Sequence, residues 1–191
     1  IEDSCELFDK VGDSSFTKEE RVDVLLDMCA GLEVLHRKNI IHRDLKPENT
    51  LVQKVMGDDG KVKKRGHIID FGLSAYTTKS PKDRCGTPEY LPPEMLLTPQ
   101  KAQSTAVDVF SFCVIILEVL SKECPLDYCH NRPNQTMGCR MQRNGLTRQE
   151  KIEFEGKGFP RSFLDVIDQG LCAIPSERPS IQKIAAALKT L

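Results

Sequence analysis

The chain has 191 residues and a formal net charge of −1 at pH 7, with 39% hydrophobic and 29% charged residues. That is enough for one core, in one domain or one large lobe, of an ordinary water-soluble protein. A charge so near zero gives no global field to hold nucleic acid or an anionic membrane, so neither is expected as a partner. The eight cysteines include no Cys-x-x-Cys pair, and several lie in apolar helical patterns, so the expected setting is reducing and intracellular, cytoplasmic or nuclear. The acidic opening residues lack the charged-then-apolar pattern of a signal peptide, and none is expected.

In chain order, Thr17-Lys18-Glu19-Glu20 has capping-box spacing, and Val22, Leu25, Leu26, Cys29, Leu32 and Leu35 follow it as an apolar stripe. They predict an amphipathic helix ending near His36-Arg37-Lys38, whose cations suit a C-terminus. Leu51-Val52 and His67-Ile68-Ile69 read as short strands around a Gly57-Asp58-Asp59-Gly60 turn, and Lys61, Lys63, Lys64 and Arg65 form a basic strip, read as a solvated hairpin. Ala106 to Leu120 is interrupted only by Asp108, Ser111 and Glu118; it is too short and too charged to span a membrane comfortably, and predicts a buried central helix. Residues 121–149 read as a long loop. Leu164, Val166, Ile167, Leu171 and Cys172 predict another helix, and Ser180 caps a last one that buries Ile181, Ile184, Ala185 and Leu188. Cys124, Cys129, His130 and Cys139 have zinc-ligand chemistry, but Cys-x4-Cys-His is a poor zinc spacing and loop thiols are the preferred reading.

The chemistry concentrates in His42-Arg43-Asp44-Leu45-Lys46-Pro47-Glu48-Asn49. Twenty-one positions after Asn49, an apolar run ends in Asp70-Phe71-Gly72. Together they offer a general base, a cation for phosphate and two oxygen ligands for a hard divalent metal. Phosphoryl transfer needs that set, because its catalyst mainly positions groups and neutralises spreading charge.

These blocks resemble the eukaryotic protein kinases, of the serine/threonine type. The order of the family is kept by Glu6-Leu7-Phe8-Asp9, His42 to Asn49, Asp70-Phe71-Gly72, Gly86-Thr87-Pro88-Glu89-Tyr90-Leu91-Pro92-Pro93-Glu94, Asp108 to Cys113 and Pro175-Ser176-Glu177-Arg178-Pro179. Departures from it are Pro92 for the usual alanine, Phe110 for tryptophan and Cys113 for glycine. The resemblance implies a protein-kinase-like α+β fold, of which this chain is the mainly α-helical large lobe with short β-hairpins at the catalytic cleft. On that reading residues 1–191 are a C-terminal-lobe fragment. It divides into the hinge end and following helix (1–10), the catalytic loop (40–49), the activation segment (70–94), the central buried helix (105–120) and a C-terminal helical subdomain (121–191). No Gly-x-Gly-x-x-Gly and no Val-Ala-Ile-Lys-like strand occurs, so a fragment of a larger kinase is expected, inactive on its own for want of the small lobe.

By the same resemblance, Asp44 is the base, Lys46 stabilises the moving γ-phosphoryl charge, Asn49 and Asp70 ligate Mg²⁺, and His42 is structural. The implied catalytic set is Asp44, Lys46, Asn49 and Thr87; the cofactor set, for ATP and Mg²⁺, is Lys46, Glu48, Asn49 and Asp70. Arg178 is expected to pair with Glu94. Asp83 takes the position of the phosphorylated residue that commonly neutralises Arg43, and is expected to replace it in part; Thr77, Thr78 and Ser80 are further candidate phosphosites. Glu48 and Glu118 match positions that can form an acidic pocket, implying a protein substrate with basic residues upstream of its acceptor. Adenine would meet backbone within Ile1–Cys5. The rival reading is a kinase-derived pseudokinase or scaffold module without phosphotransfer. A small-molecule kinase is disfavoured by the activation segment and closing motif.

Overall fold

A computed structural model describes residues 4–57, 60–98, 101–122 and 143–191. Thr17 starts the long helix as its sequence requires. Its side chain accepts the Glu20 N–H while Glu20 accepts the Thr17 N–H, and the helix α2 runs Lys18–Arg37. Ahead of it lie strand β1 (Ser4–Glu6) and the one-turn helix α1 (Phe8–Val11). Glu6, expected in a helix, ends β1 instead, because residues 4–6 pair antiparallel with 51–53.

After α2 come β2 (Ile40–Ile41), β3 (Thr50–Met56), β4 (Val62–Ile68) and β5 (Ala75–Tyr76). They form a three-stranded antiparallel sheet in the order β1-β3-β4 and a two-stranded β2-β5 pair. The β3-β4 strands are each seven residues long, well beyond the two or three that the apolar residues alone marked. Polar residues extend the ladder out to the Met56–Val62 pair, and a Gly57 N–H to Lys61 O bond closes the turn. Helix α2 packs along β4, where Lys64 meets Glu20 at 2.8 Å and the Gly66 N–H reaches Asp27 at 3.0 Å.

The remaining helices are α3 (Pro93–Leu97), α4 (Ala106–Ser121), α5 (Arg148–Gly156), α6 (Arg161–Gly170) and α7 (Ile181–Leu188). Helix α5 begins inside the stretch expected to be loop. Its signal was present, since Thr147 and Glu150 make a second reciprocal capping box. Every residue from Val107 to Val119 is buried, so α4 is the axis of the core, with α1, α2 and α6 packed around it. Burying an apolar side chain of this size contributes about 1.5–3 kcal/mol, which makes α4 the main source of cohesion.

Small adjustments let these helices approach. A Cβ on Gly170 of α6 would collide with the Cys113 sulfur of α4. Burial pushes the Cys113 thiol up, away from ionisation. The fully buried Arg21 spends its donors on the carbonyls of Phe16, Val11, Val119 and Asp13, tying the α1–α2 connection to the end of α4. Burial lowers its pKa, yet the four acceptors satisfy the cation. The described cysteines, 5, 29, 85, 113 and 172, are free thiols. Among the described residues no helix is long and apolar enough to cross a membrane.

Candidate active site

Loop 42–49 is shaped from below by Asp108, the fully buried first-turn acid of α4. Its carboxylate accepts the backbone N–H groups of His42 and Arg43, each at 2.9 Å, and the His36 Nε2 at 2.9 Å. Thus His36, read from sequence as a helix-end cation, joins the support of the loop. Arg43 sits at φ 72° and Asp70 at φ 61°, in the left-handed region that ordinary residues avoid. Strain of about 1–3 kcal/mol each persists only where the surroundings impose it, and such strain clusters at functional sites. Pro47 then opens a 3₁₀ turn, Pro47–Asn49, that returns the chain into β3.

Within this loop Asp44 is held on both carboxylate oxygens. Oδ1 accepts the Thr87 hydroxyl at 2.7 Å and the Thr87 N–H at 2.9 Å. Oδ2 accepts from Asn49 Nδ2 at 3.1 Å, and the same amide nitrogen donates to Asp44 O at 2.8 Å. Lys46 Nζ stands 4.0 Å from Oδ2. Asp44, Lys46, Asn49 and Thr87, proposed together from the sequence, therefore meet around one carboxylate. Gly86 makes room for the Thr87 contact. Its φ is 95°, and a Cβ there would strike the Arg43 carbonyl, so only glycine lets segment 85–87 lie against the loop.

His42 is fully buried; its Nε2 lies 3.1 Å from Ile69 O, and its ring meets Phe71 edge-on at 5.2 Å. A side chain so enclosed serves the scaffold, which agrees with the structural role read for it. The Ile69 N–H donates to Asn49 O, so Asn49 and Asp70 emerge at the same end of the β3-β4 hairpin. Asp70 is exposed and accepts the Gly72 N–H on Oδ1 at 3.1 Å.

Two oxygen ligands with room for several waters suit Mg²⁺. Asn49 Nδ2 is committed to Asp44, which leaves the amide oxygen as the Asn49 side-chain atom able to serve as a ligand. The residues present thus fit the ion that the sequence implied. No cluster of three or more His, Cys, Asp or Glu able to hold a metal occurs among the described residues. The Cys124, Cys129, His130 and Cys139 group, and Ile1–Asp3 of the expected adenine contact, lie outside the described residues.

Glu48 Oε2 is buried without a hydrogen-bond partner among the described residues. Glu118, also buried, accepts the Tyr90 hydroxyl at 2.9 Å. Arg43 donates from Nη1 to Asp83 Oδ1 at 2.7 Å and from Nε to Leu73 O at 2.6 Å. That hydrogen bond, ahead of other causes, holds the Asp83 carboxyl below the ordinary carboxylate range. The expected Arg178–Glu94 pair is present and bidentate, at 2.6 and 2.7 Å.

The family model described as protein kinase domain matches residues 2–188. A calcium and calcium/calmodulin-dependent serine/threonine-protein kinase of Pisum sativum is 36% identical over 182 residues, covering 94% of this chain and 32% of that protein. A serine/threonine-protein kinase H1 homolog of Danio rerio is 37% identical over 183 residues, 92% of this chain and 40% of its own length. The human serine/threonine-protein kinase H1 is 39% identical over 181 residues, with coverages of 91% and 39%. The chain spans about a third to two fifths of the length of these relatives.

Proposed function

The chain belongs to the protein kinase family, and from that membership we propose that it is the mainly helical large lobe of a serine/threonine protein kinase. The reaction is transfer of the ATP γ-phosphoryl group to a protein Ser or Thr hydroxyl. One observation carries the reading: Asp44 is gripped by Thr87 on one oxygen and Asn49 on the other, with Lys46 alongside.

Asp44 accepts the acceptor hydroxyl's proton and orients its oxygen for in-line attack. Thr87 and Asn49 fix the carboxylate plane, so little reorganisation accompanies the step. Lys46 offsets negative charge on the transferred group. Asn49 and Asp70 would hold Mg²⁺, which would supply positive charge to offset that of the phosphates. The assigned boundaries are 1–10, 40–49, 70–94, 105–120 and 121–191, as read from the sequence.

Glu48, whose Oε2 has no hydrogen-bond partner among the described residues, supports together with Glu118 a preference for substrate cations upstream of the acceptor. The Arg43–Asp83 contact supports Asp83 as a partial stand-in for phosphate. In Mg²⁺-dependent labelling of a basic Ser/Thr peptide, Asp44→Asn is expected to lower the rate by roughly 10²–10⁴-fold at unchanged melting temperature. An intact kinase carrying this lobe that neither labels peptide nor melts later with ATP and Mg²⁺ would leave the scaffold reading standing.

A further inference from the structure

We propose that Gln103 is the positioning residue that holds the activation segment against the catalytic loop, and that this hold needs no phosphate. The inference rests on the kinase reading of Asp44 and supplies the means by which Thr87 is kept on that carboxylate.

Gln103 lies in the connection before α4 and is only 6% exposed. Its Nε2 donates to Asp83 O at 2.7 Å, its Oε1 accepts from Arg43 Nη1 at 3.4 Å, and its own N–H donates to Pro81 O at 3.0 Å. Arg43 in turn reaches Leu73 O and Asp83 Oδ1. The start of the segment at Leu73, its middle at Pro81 and Asp83, and the catalytic loop at Arg43 thus close around one side chain. Three residues beyond Asp83, Gly86 presses on the Arg43 carbonyl and Thr87 reaches Asp44.

The contacts at Asp83 differ in kind. Its carboxylate side chain is 63% exposed, so the ion pair with Arg43 is open to water and salt. The amide of Gln103 is sealed, and a buried hydrogen bond is costly to lose. It also holds a main-chain carbonyl, which is present whatever side chain occupies position 83. Glutamine suits the place because one amide offers a donor to the carbonyl and an acceptor to the guanidinium. Glutamate would set an oxygen against the Asp83 carbonyl, and leucine would satisfy neither neighbour.

Trypsin digestion of the purified native protein, read by mass spectrometry after Lys82 and Arg84, tests this directly. Gln103→Leu and Gln103→Glu are expected to speed those two cuts by roughly tenfold, with other sites and the melting temperature unchanged. Asp83→Asn, which keeps the carbonyl, should retain most of the protection. In the peptide kinase assay the Gln103 variants should raise the peptide KM several-fold and leave the ATP KM alone, a split that a general loss of stability would not give. If Asp83→Asn is cut as fast as the Gln103 variants, or if both Gln103 variants are cut like wild type, the proposal is overturned. Should Gln103→Leu melt early throughout, Gln103→Glu decides: local cutting at normal melting supports the assignment, and global loss refutes it. An intact kinase carrying this lobe that shows no phosphotransfer counts against the kinase reading, while the cleavage pattern still decides on Gln103.

Discussion

Of the arginine–carboxylate pairs among the described residues, Arg178–Glu94 and Arg43–Asp83 are built differently. Arg178 and Glu94 meet twice, at 2.6 and 2.7 Å, with side-chain exposures of 0% and 20%. Arg178 also donates to the carbonyls of Ala106 and Cys172 and lies over the Phe110 ring. Arg43 and Asp83 meet once, at 2.7 Å, and the Asp83 side chain is 63% exposed. The first pair joins the starts of α3 and α4 to the closing motif; the second joins a long segment to the catalytic loop. Identical functional groups therefore do two jobs, and solvent access separates them. A sealed, forked pair makes a fixed joint, whereas an open single contact can be exchanged.

The largest expected effect tests the fixed joint. Glu94→Ala leaves Arg178 buried without its counter-charge and should cost about 3–5 kcal/mol in urea unfolding. A loss under about 1 kcal/mol would erase the contrast between the two pairs. Next, Asp83→Ala should lower global stability by only ~0–1 kcal/mol while reducing peptide phosphorylation a few-fold. Unchanged activity would remove Asp83 from any role in ordering the segment.

The smallest effect is titrimetric. Because the folded Asp83 carboxyl titrates below its unfolded value, its contribution is fully present above about pH 4. That contribution is lost as pH falls through the depressed folded value. The stability difference between wild type and Asp83→Ala should accordingly be constant from pH 7 to 5, shrink in stronger acid, and shrink also in 1 M salt at pH 7. A difference that grows on acidification would contradict the sign.

What the sequence disclosed follows from the range of each interaction. Helix α2, the α4 axis and the cap of α7 rest on periodicity and on caps three residues apart, so they could be read locally. The cluster of Asp44, Lys46, Asn49 and Thr87 was named through its likeness to a family, and the hydrogen bonds agree with that grouping. The length of the β3-β4 hairpin escaped because Lys, Gln and Arg in an exposed ladder carry no apolar alternation. Helix α5 escaped because its single buried apolar residue, Phe154, draws no stripe, although the cap was legible. His36, Arg21 and Gln103 escaped for a different reason. Their partners lie up to 98 positions away, and nothing in a polar residue's immediate neighbourhood announces a distant acceptor.

The meeting of Cys113 with Gly170 constrains how this chain can vary. Cys113 stands where kinases resembling this chain usually carry glycine, and its sulfur fills the space beside Gly170 on the neighbouring helix. The two sites behave as one shared volume, so alanine at 170 should be tolerated only after 113 is trimmed to glycine. Enlarging 170 first would overpack the interface, whereas trimming 113 first leaves only a small gap, so the order of the two changes matters.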